Sequence, residues 1–425
     1  MTPASTSRRA RTTVAWGMLD QVLASASNFV VIVIVARSLS AGGFGSFSVA
    51  FEVYILTVFI IRGLASDPLS TAHASDAPEQ LRQAVSSAAV TTVVATCCLG
   101  LVVAGISFVV GDQLAPVLLA LAIGLPGLAL QDYFRYALIV QGNARAAFFN
   151  DLTWGLLQLP LLWLAISQES GATGLLAAWA VAGNAAAVLG LLQTRSGLGR
   201  LSQVRPWLRR HRKLWPYFLL DNVIFQASNL VLVVVISVAA GLAQVAGFRA
   251  AMTVYAPLAI VGRGIVGVSV PLLARRSHDP RAVKRSALVI AWLLGPMALA
   301  WATVTLFIPD HVGRAFLGDS WEIAEPLVFL AGITSAVGMF TVGTSVGLRA
   351  LGAGREGLNA RIVVSTLGLG CAAVGGLIDG AYGVFMALAL SAPFQVATWW
   401  WLLSKATDQA VHRAGASNGQ AEAST

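Results

Sequence analysis

The chain has 425 residues, of which 57% are hydrophobic and 11% charged, with a mean hydropathy of +0.75. A soluble domain carries about 25% charged residues, so this composition excludes a soluble globular protein and places the chain in a bilayer. The net charge of +9 does not indicate a nucleic-acid partner, because the cations flank apolar runs instead of forming one soluble basic face.

Arg8, Arg9 and Arg11 precede the first apolar run. The run is too long for a signal peptide and holds Asp20 and Gln21, so it reads as a retained first span. A spanning helix needs about 20 mostly apolar residues. Spans are expected near 13–35, 45–66, 85–109, 114–140, 149–167, 172–194, 217–240, 244–273, 283–308, 323–349, 357–378 and 381–404. No sustained two-residue alternation supports barrel strands. Cys97, Cys98 and Cys371 lie inside apolar runs and suggest no disulfide framework or metal site. His73, His211, His278, His311 and His412 lie in loops or the tail without metal-ligand spacing.

Twelve spans put both termini on one side. About 24 of the 28 Lys and Arg residues then fall on that side, which the positive-inside rule makes cytoplasmic. Arg37 and Arg314 fall opposite, with Asp112, Glu169, Asp310, Asp319, Glu322, Glu325 and Asp379; Arg249 and Arg263 fall within a span. The expected location is therefore the cytoplasmic (inner) membrane, multi-pass. The most basic stretch, "RLSQVRPWLRRHRKLWPYF" (Arg200 to Phe218), separates six spans from six. The expected divisions are a cytoplasmic segment 1–12, an N-lobe 13–194, a basic linker 195–216, a C-lobe 217–404 and a disordered tail 405–425.

The halves repeat. "LDQVLASASN" (Leu19 to Asn28) matches "LDNVIFQASN" (Leu220 to Asn229) at an offset of 201 residues. At that offset Phe47 meets Phe248, Tyr54 meets Tyr255, and Arg62-Gly63 meets Arg263-Gly264; about 14 of 46 positions from 19 to 64 are identical. "QGNAR" (Gln141 to Arg145) echoes "LGAGR" (Leu351 to Arg355), and "GATG" at Gly171 echoes "GAYG" at Gly380. Six spans per copy is an even number. The expected fold class is thus an all-α polytopic membrane protein: twelve helices as two parallel six-helix lobes, related by a pseudo-two-fold axis along the membrane normal.

The stretches "NFVVIVIVARSLSAGGFGSFSVAF" (Asn28 to Phe51), "GFRAAMTVYAPLAIVGRGIVGVSVPLLAR" (Gly247 to Arg275) and "GLRALGAGREGLNARI" (Gly347 to Ile362), followed by "GAYGVFMALAL", carry a family resemblance over nearly the whole chain. They resemble the polysaccharide-flippase (O-antigen) branch of the multidrug/oligosaccharidyl-lipid/polysaccharide exporter superfamily. The resemblance implies a central cavity lined by helices 1, 2, 7 and 8. It also implies a transporter that moves a polyprenyl-pyrophosphate-linked oligosaccharide across the membrane by alternating access, with no cofactor.

Charged residues inside a bilayer are costly and usually face a cavity or a partner. Asp20, Ala24, Ser27 and Asn28 share one helical face, as do Asp221, Phe225, Ser228 and Asn229. Such stripes either bond neighbouring helices or line a water-filled cavity. Arg263 lies about 27 Å into its span at 1.5 Å per residue. Arginine forks bind phosphate bidentately, so Arg62, Arg249 and Arg263, with Asn28 and Asn229, are the candidate substrate-binding residues. Asp20, Asp221 and Glu52 are candidates for ion coupling or gating, by a proton or a sodium ion, or for static salt bridges. Asp132 and Arg135, one turn apart, are placed to pair with each other.

"GAGREG" (Gly352 to Gly357) fits a dinucleotide pattern literally but follows a span, not a strand. No ATP-binding P-loop occurs. The alternative transporter is a cation-coupled multidrug antiporter of the same superfamily. A glycan polymerase or glycosyltransferase is disfavoured by short, acid-poor outer loops, so the chain is read as a non-enzyme, and such enzymes enter as partners. A lipid II flippase is expected to have two more helices than this chain has room for.

Overall fold

The computed structural model describes residues 3–73, 76–274 and 279–422, with a smaller set of side chains. The described residues are overwhelmingly α-helical, with no strand among them. The helices are α1 (Pro3–Ser38), α2 (Ala41–Ile61), α3 (Asp67–His73), α4 (Pro78–Ser107), α5 (Ala115–Val140), α6 (Ala144–Ser167), α7 (Gly171–Thr194) and α8 (Val204–Arg210). They continue with α9 (Trp215–Ala240), α10 (Leu242–Val254), α11 (Ala256–Ala274), α12 (Pro280–Thr305), α13 (Asp310–Leu317), α14 (Ser320–Ala350) and α15 (Gly354–Glu422). Two compact units divide the chain, residues 1–233 and 234–425. The first therefore takes most of α9.

Nine described helical runs are long and apolar enough to cross a membrane, or ten if α10 and the start of α11, bent by 50° at Tyr255, form one span. With α10 and α11 counted as one span, two further features bring the described helices from ten to the expected twelve. α6 has 24 residues, about 36 Å at 1.5 Å per residue, but carries enough polar side chains to lower its hydropathy. α15 is two helices meeting at Asp379 and Gly380, whose backbones leave the helical region. Exposed Leu101, Ile123, Trp163, Phe307, Ile378 and Leu390 are a surface suited to lipid. The chain is a multi-pass membrane protein.

Local signals set several boundaries. Ser40, Asn143 and Asp279 accept hydrogen bonds from Gly43, Ala146 and Ala282 at the starts of α2, α6 and α12. The repeat is visible in the backbone. Gly142 (φ 76°) and Gly352 (φ 67°) occupy the two echoing turns in the left-handed region, and Gly171 (φ 62°) and Gly380 (φ 51°) do so before the next helices. "GAGREG" thus spans the turn after α14 and the first residues of α15.

Two expectations need revision in detail. The second span does not stop near residue 66. A π turn at Arg62–Ser66 joins α2 to α3, so the helical run extends from Ala41 to His73. Residues beyond Lys405 also continue α15, because Ala406 and Thr407 are buried and Ala406 packs in a cluster with Ala287, Leu402 and Leu403.

Within each unit, small residues allow close packing. A Cβ on Gly183 would lie 2.6 Å from Leu128, and one on Gly190 2.7 Å from Phe134. In the second unit a Cβ on Gly343 would lie 2.4 Å from the Ala291 nitrogen, so α12 and α14 touch backbone to backbone.

Candidate functional site in the first unit

Five charged side chains from four segments form one buried network. Arg62, at the C-cap of α2, grips Asp132 of α5 with both arms of its guanidinium, Nε at 2.9 Å and Nη2 at 2.7 Å. It also lies over the rings of Phe59 and Tyr136, 5.1 and 4.9 Å from their centroids. One turn along α5, Arg135 places Nε 2.8 Å from Asp20 Oδ2 on α1 and 3.1 Å from Asp151 Oδ2 on α6. Asp132 and Arg135 are themselves 4.0 Å apart. Their expected mutual pair is thus the longest ionic contact in the network, because each has a better-placed partner on another helix.

Neutral side chains hold the acids in position. Gln131 donates to Asp151 Oδ1 at 2.7 Å and to Asn150 Oδ1 at 3.1 Å. Asn150 donates in turn to the Ala186 carbonyl on α7. On α1, Arg135 also reaches Gln21 at 3.3 Å. Asp151, Asn150 and Gln131 were not singled out from the sequence. Asp151 had the same signal as Asp20, an acid inside an apolar run.

Among the described side chains the network does not balance. With all five groups ionised it holds three negative and two positive charges, and a buried uncompensated charge is expensive. Asp20 and Asp151 compete for one N–H of Arg135, and Asp20 Oδ1 is buried with no hydrogen-bond partner among the described residues. One proton or one monovalent cation at the Asp20/Asp151 pair restores neutrality.

The other candidates are placed as follows. Glu52 on α2 is buried and accepts a hydrogen bond from Gln226 of α9 at 3.0 Å, within the same unit. Asn28 and Asn229 are exposed on α1 and α9. Ser27, on the Asp20 stripe, accepts from Gln158 of α6, so that part of the stripe bonds a neighbouring helix. Arg249 is half-buried on α10 in the second unit. The side chains of Arg263 and Asp221 lie outside the described residues. The structure therefore brings together Asp20 and Arg62, through Asp132 and Arg135, and leaves Asn28 outside that network.

No protein-family model matches the chain, and no curated protein matches it by sequence. Solved structures match its fold. An inward-facing multidrug resistance transporter of the MATE family, in the MOP superfamily, aligns at 14% identity over 91% of this chain and 96% of its own, with a TM-score of 0.70. The lipid II flippase MurJ, in an inward closed conformation, aligns at 12% identity over 95% and 92%, with a TM-score of 0.72. A MOP superfamily transporter from Pyrococcus furiosus, described as having a binding pocket of reverse polarity, aligns at 14% identity over 95% and 96%, with a TM-score of 0.57. At these identities the likeness is one of fold. The chain has the all-α membrane fold of these transporters, whose members span multidrug exporters and a lipid-linked flippase.

Proposed function

We propose that the protein is a flippase that carries a polyprenyl-pyrophosphate-linked oligosaccharide, a polysaccharide repeat unit, across the cytoplasmic membrane by alternating access. The observation that carries the reading is Arg62: a guanidinium partly exposed inside a membrane run, with both arms on Asp132. A carboxylate and a phosphate present the same pair of oxygens to an arginine fork, so Asp132 is the resting partner that an incoming pyrophosphate displaces. Arg249 and Arg263 are assigned to the same anionic head group, with Asn28 and Asn229 on its sugars. The likeness of fold to a lipid-linked flippase supports the reading.

In this reading the Asp20/Asp151 pair takes a coupling proton or sodium ion, and Asp221 and Glu52 serve gating. Both termini and the basic linker 195–216 face the cytoplasm, between an N-lobe at 13–194 and a C-lobe at 217–404, and glycan polymerases or glycosyltransferases are the partners in polysaccharide export. The protein itself makes and breaks no covalent bond. The surplus acid beside Asp20 also favours a second reading, a cation-coupled drug antiporter.

Reconstituted vesicles separate the two. Polyprenyl-pyrophosphate oligosaccharide is loaded into both leaflets, and a membrane-impermeant sugar-cleaving enzyme is added outside. Complete cleavage with wild-type protein, but half cleavage with Arg62→Ala or without protein, supports the flippase. Half cleavage with all three, together with ion-driven uptake of a cationic dye, replaces it with the antiporter.

A further inference from the structure

The first unit holds a second polar cluster, at the end of the helical run 41–73 and away from the ion network. His73 of α3 and His211, at the C-cap of α8, are both buried at 3% exposure. Their Nε2 atoms face each other at 3.0 Å. Each Nδ1 is committed elsewhere: that of His211 lies 2.9 Å from the Trp207 carbonyl, and that of His73 lies 2.6 Å from Asp76 Oδ2. Carbonyls and carboxylates only accept, so both Nδ1 atoms carry hydrogen. Two neutral rings would then oppose their Nε2 lone pairs at hydrogen-bond distance. The contact is attractive only when exactly one further proton sits between them.

We propose that His73 and His211 form a one-proton clasp that fastens the basic linker helix α8 to the end of the α2–α3 helical run, and so makes the anchoring of the linker depend on pH. Trp207 completes the clasp. It lies 4.0 Å from the His211 ring and 5.8 Å from the His73 ring, and donates to the Leu64 carbonyl at 3.0 Å. A cleft of about 420 Å³ beside the pair gives the proton a route to water.

Few charged groups face the pair. Asp76 and Arg210 are the charged groups lining the cleft, whose α4 wall presents Gln80, Gln83 and Ser87 and whose linker wall adds Gln203. The other acid of α3, Asp67, accepts from Asn222. Glu79 and Arg82 of α4 pair with each other in solvent.

The sign follows from the proton count. Burial holds His211 below the ordinary histidine value against the raising effect of the Trp207 carbonyl, and nearby His73 and Arg210 lower it further. The fastened state thus takes a second proton less readily than a released linker, so stability is lost as pH falls through the ordinary histidine range. Loss of the shared proton at higher pH leaves lone pair against lone pair. Fastening is strongest between these limits.

Hydrogen exchange of residues 195–214 in the full-length protein in lipid nanodiscs, from about pH 5 to pH 9, tests the clasp. The expected profile is bell-shaped, with exchange on the order of tenfold faster on either side of the maximum. His211→Ala removes protection at every pH. His211→Gln keeps an amide oxygen opposite His73 that accepts but does not titrate, so it keeps protection and loses the acid limb. A flat profile, an unchanged His211→Ala, or an acid limb that survives in His211→Gln overturns the proposal. So does protection that requires added zinc and disappears with a chelator, which makes the pair a metal clip instead.

Discussion

Arg135 Nε sits between Asp20 Oδ2 at 2.8 Å and Asp151 Oδ2 at 3.1 Å, so a single N–H joins α5 to the next helix, α6, and to α1, which is distant in sequence. Two acids on one donor hold more negative charge than the arginine neutralises. Arg135→Ala leaves both carboxylates buried without their cation. Removing one partner from a buried pair costs about 3–5 kcal/mol. The variant is expected to unfold at markedly lower temperature in detergent, and adding Asp20→Asn is expected to recover part of the loss. Wild-type thermal stability in Arg135→Ala would refute the network as a structural element.

Asp151→Asn removes the surplus charge while keeping an oxygen for Gln131, which donates to Asp151 Oδ1. Stability is expected to be retained. If the pair holds the coupling ion, transport by Asp151→Asn loses its dependence on a proton or sodium gradient. Gradient-driven transport at the wild-type level would remove this acid from the coupling site.

Asp132 occupies both arms of Arg62. Asp132→Asn weakens its hold by removing the charge, so binding of a short-chain polyprenyl pyrophosphate to purified protein is expected to tighten roughly tenfold, the equivalent of about 1.4 kcal/mol. Arg62→Lys keeps the charge but loses the fork, and is expected to bind weakly. Unchanged affinity in both variants would take Arg62 out of the substrate site.

Gly63 follows Arg62 in the π turn, and a Cβ there would lie 2.5 Å from the Leu219 Cα. Backbone cannot give way as a side chain can, so Gly63→Ala is expected to lower stability by about 1–3 kcal/mol. Gly105→Ala, with nothing within 4 Å, is the matched control and is expected to be neutral or slightly stabilising. Equal melting temperatures for the two variants would contradict the close crossing.

In the second unit, Tyr255 stands at the 50° bend between α10 and α11. Its hydroxyl lies 2.9 Å from Thr305 Oγ1 and donates to the Val328 carbonyl at 2.8 Å. Tyr255→Phe removes both bonds at a cost of about 1–2 kcal/mol, measured as a lower melting temperature. Its repeat partner Tyr54 instead packs edge-on against Trp179, with ring centroids 4.8 Å apart, so the duplicated residue serves different contacts in the two halves.

The local pattern of the sequence determined much of this protein. Runs of apolar residues set where helices cross the bilayer, because an unsatisfied backbone in lipid leaves a helix as the available answer. The echoing glycines anticipated turns that both copies make in the left-handed region, since Gly142, Gly171, Gly352 and Gly380 need no Cβ clearance there. Asp20 and Arg62 were legible as candidates because a charge in an apolar run is costly wherever it points. Their partners were decided only by the tertiary structure. Arg62 meets Asp132 across 70 residues and Arg135 meets Asp20 across 115, so the neighbour one turn away lost to helices brought alongside by packing. The histidines, which read as loop residues, became a buried pair across 138 residues in the same way. Hydropathy is a property of each segment; the balance of buried charge belongs to the set of helix faces that meet, and only the folded chain chooses that set.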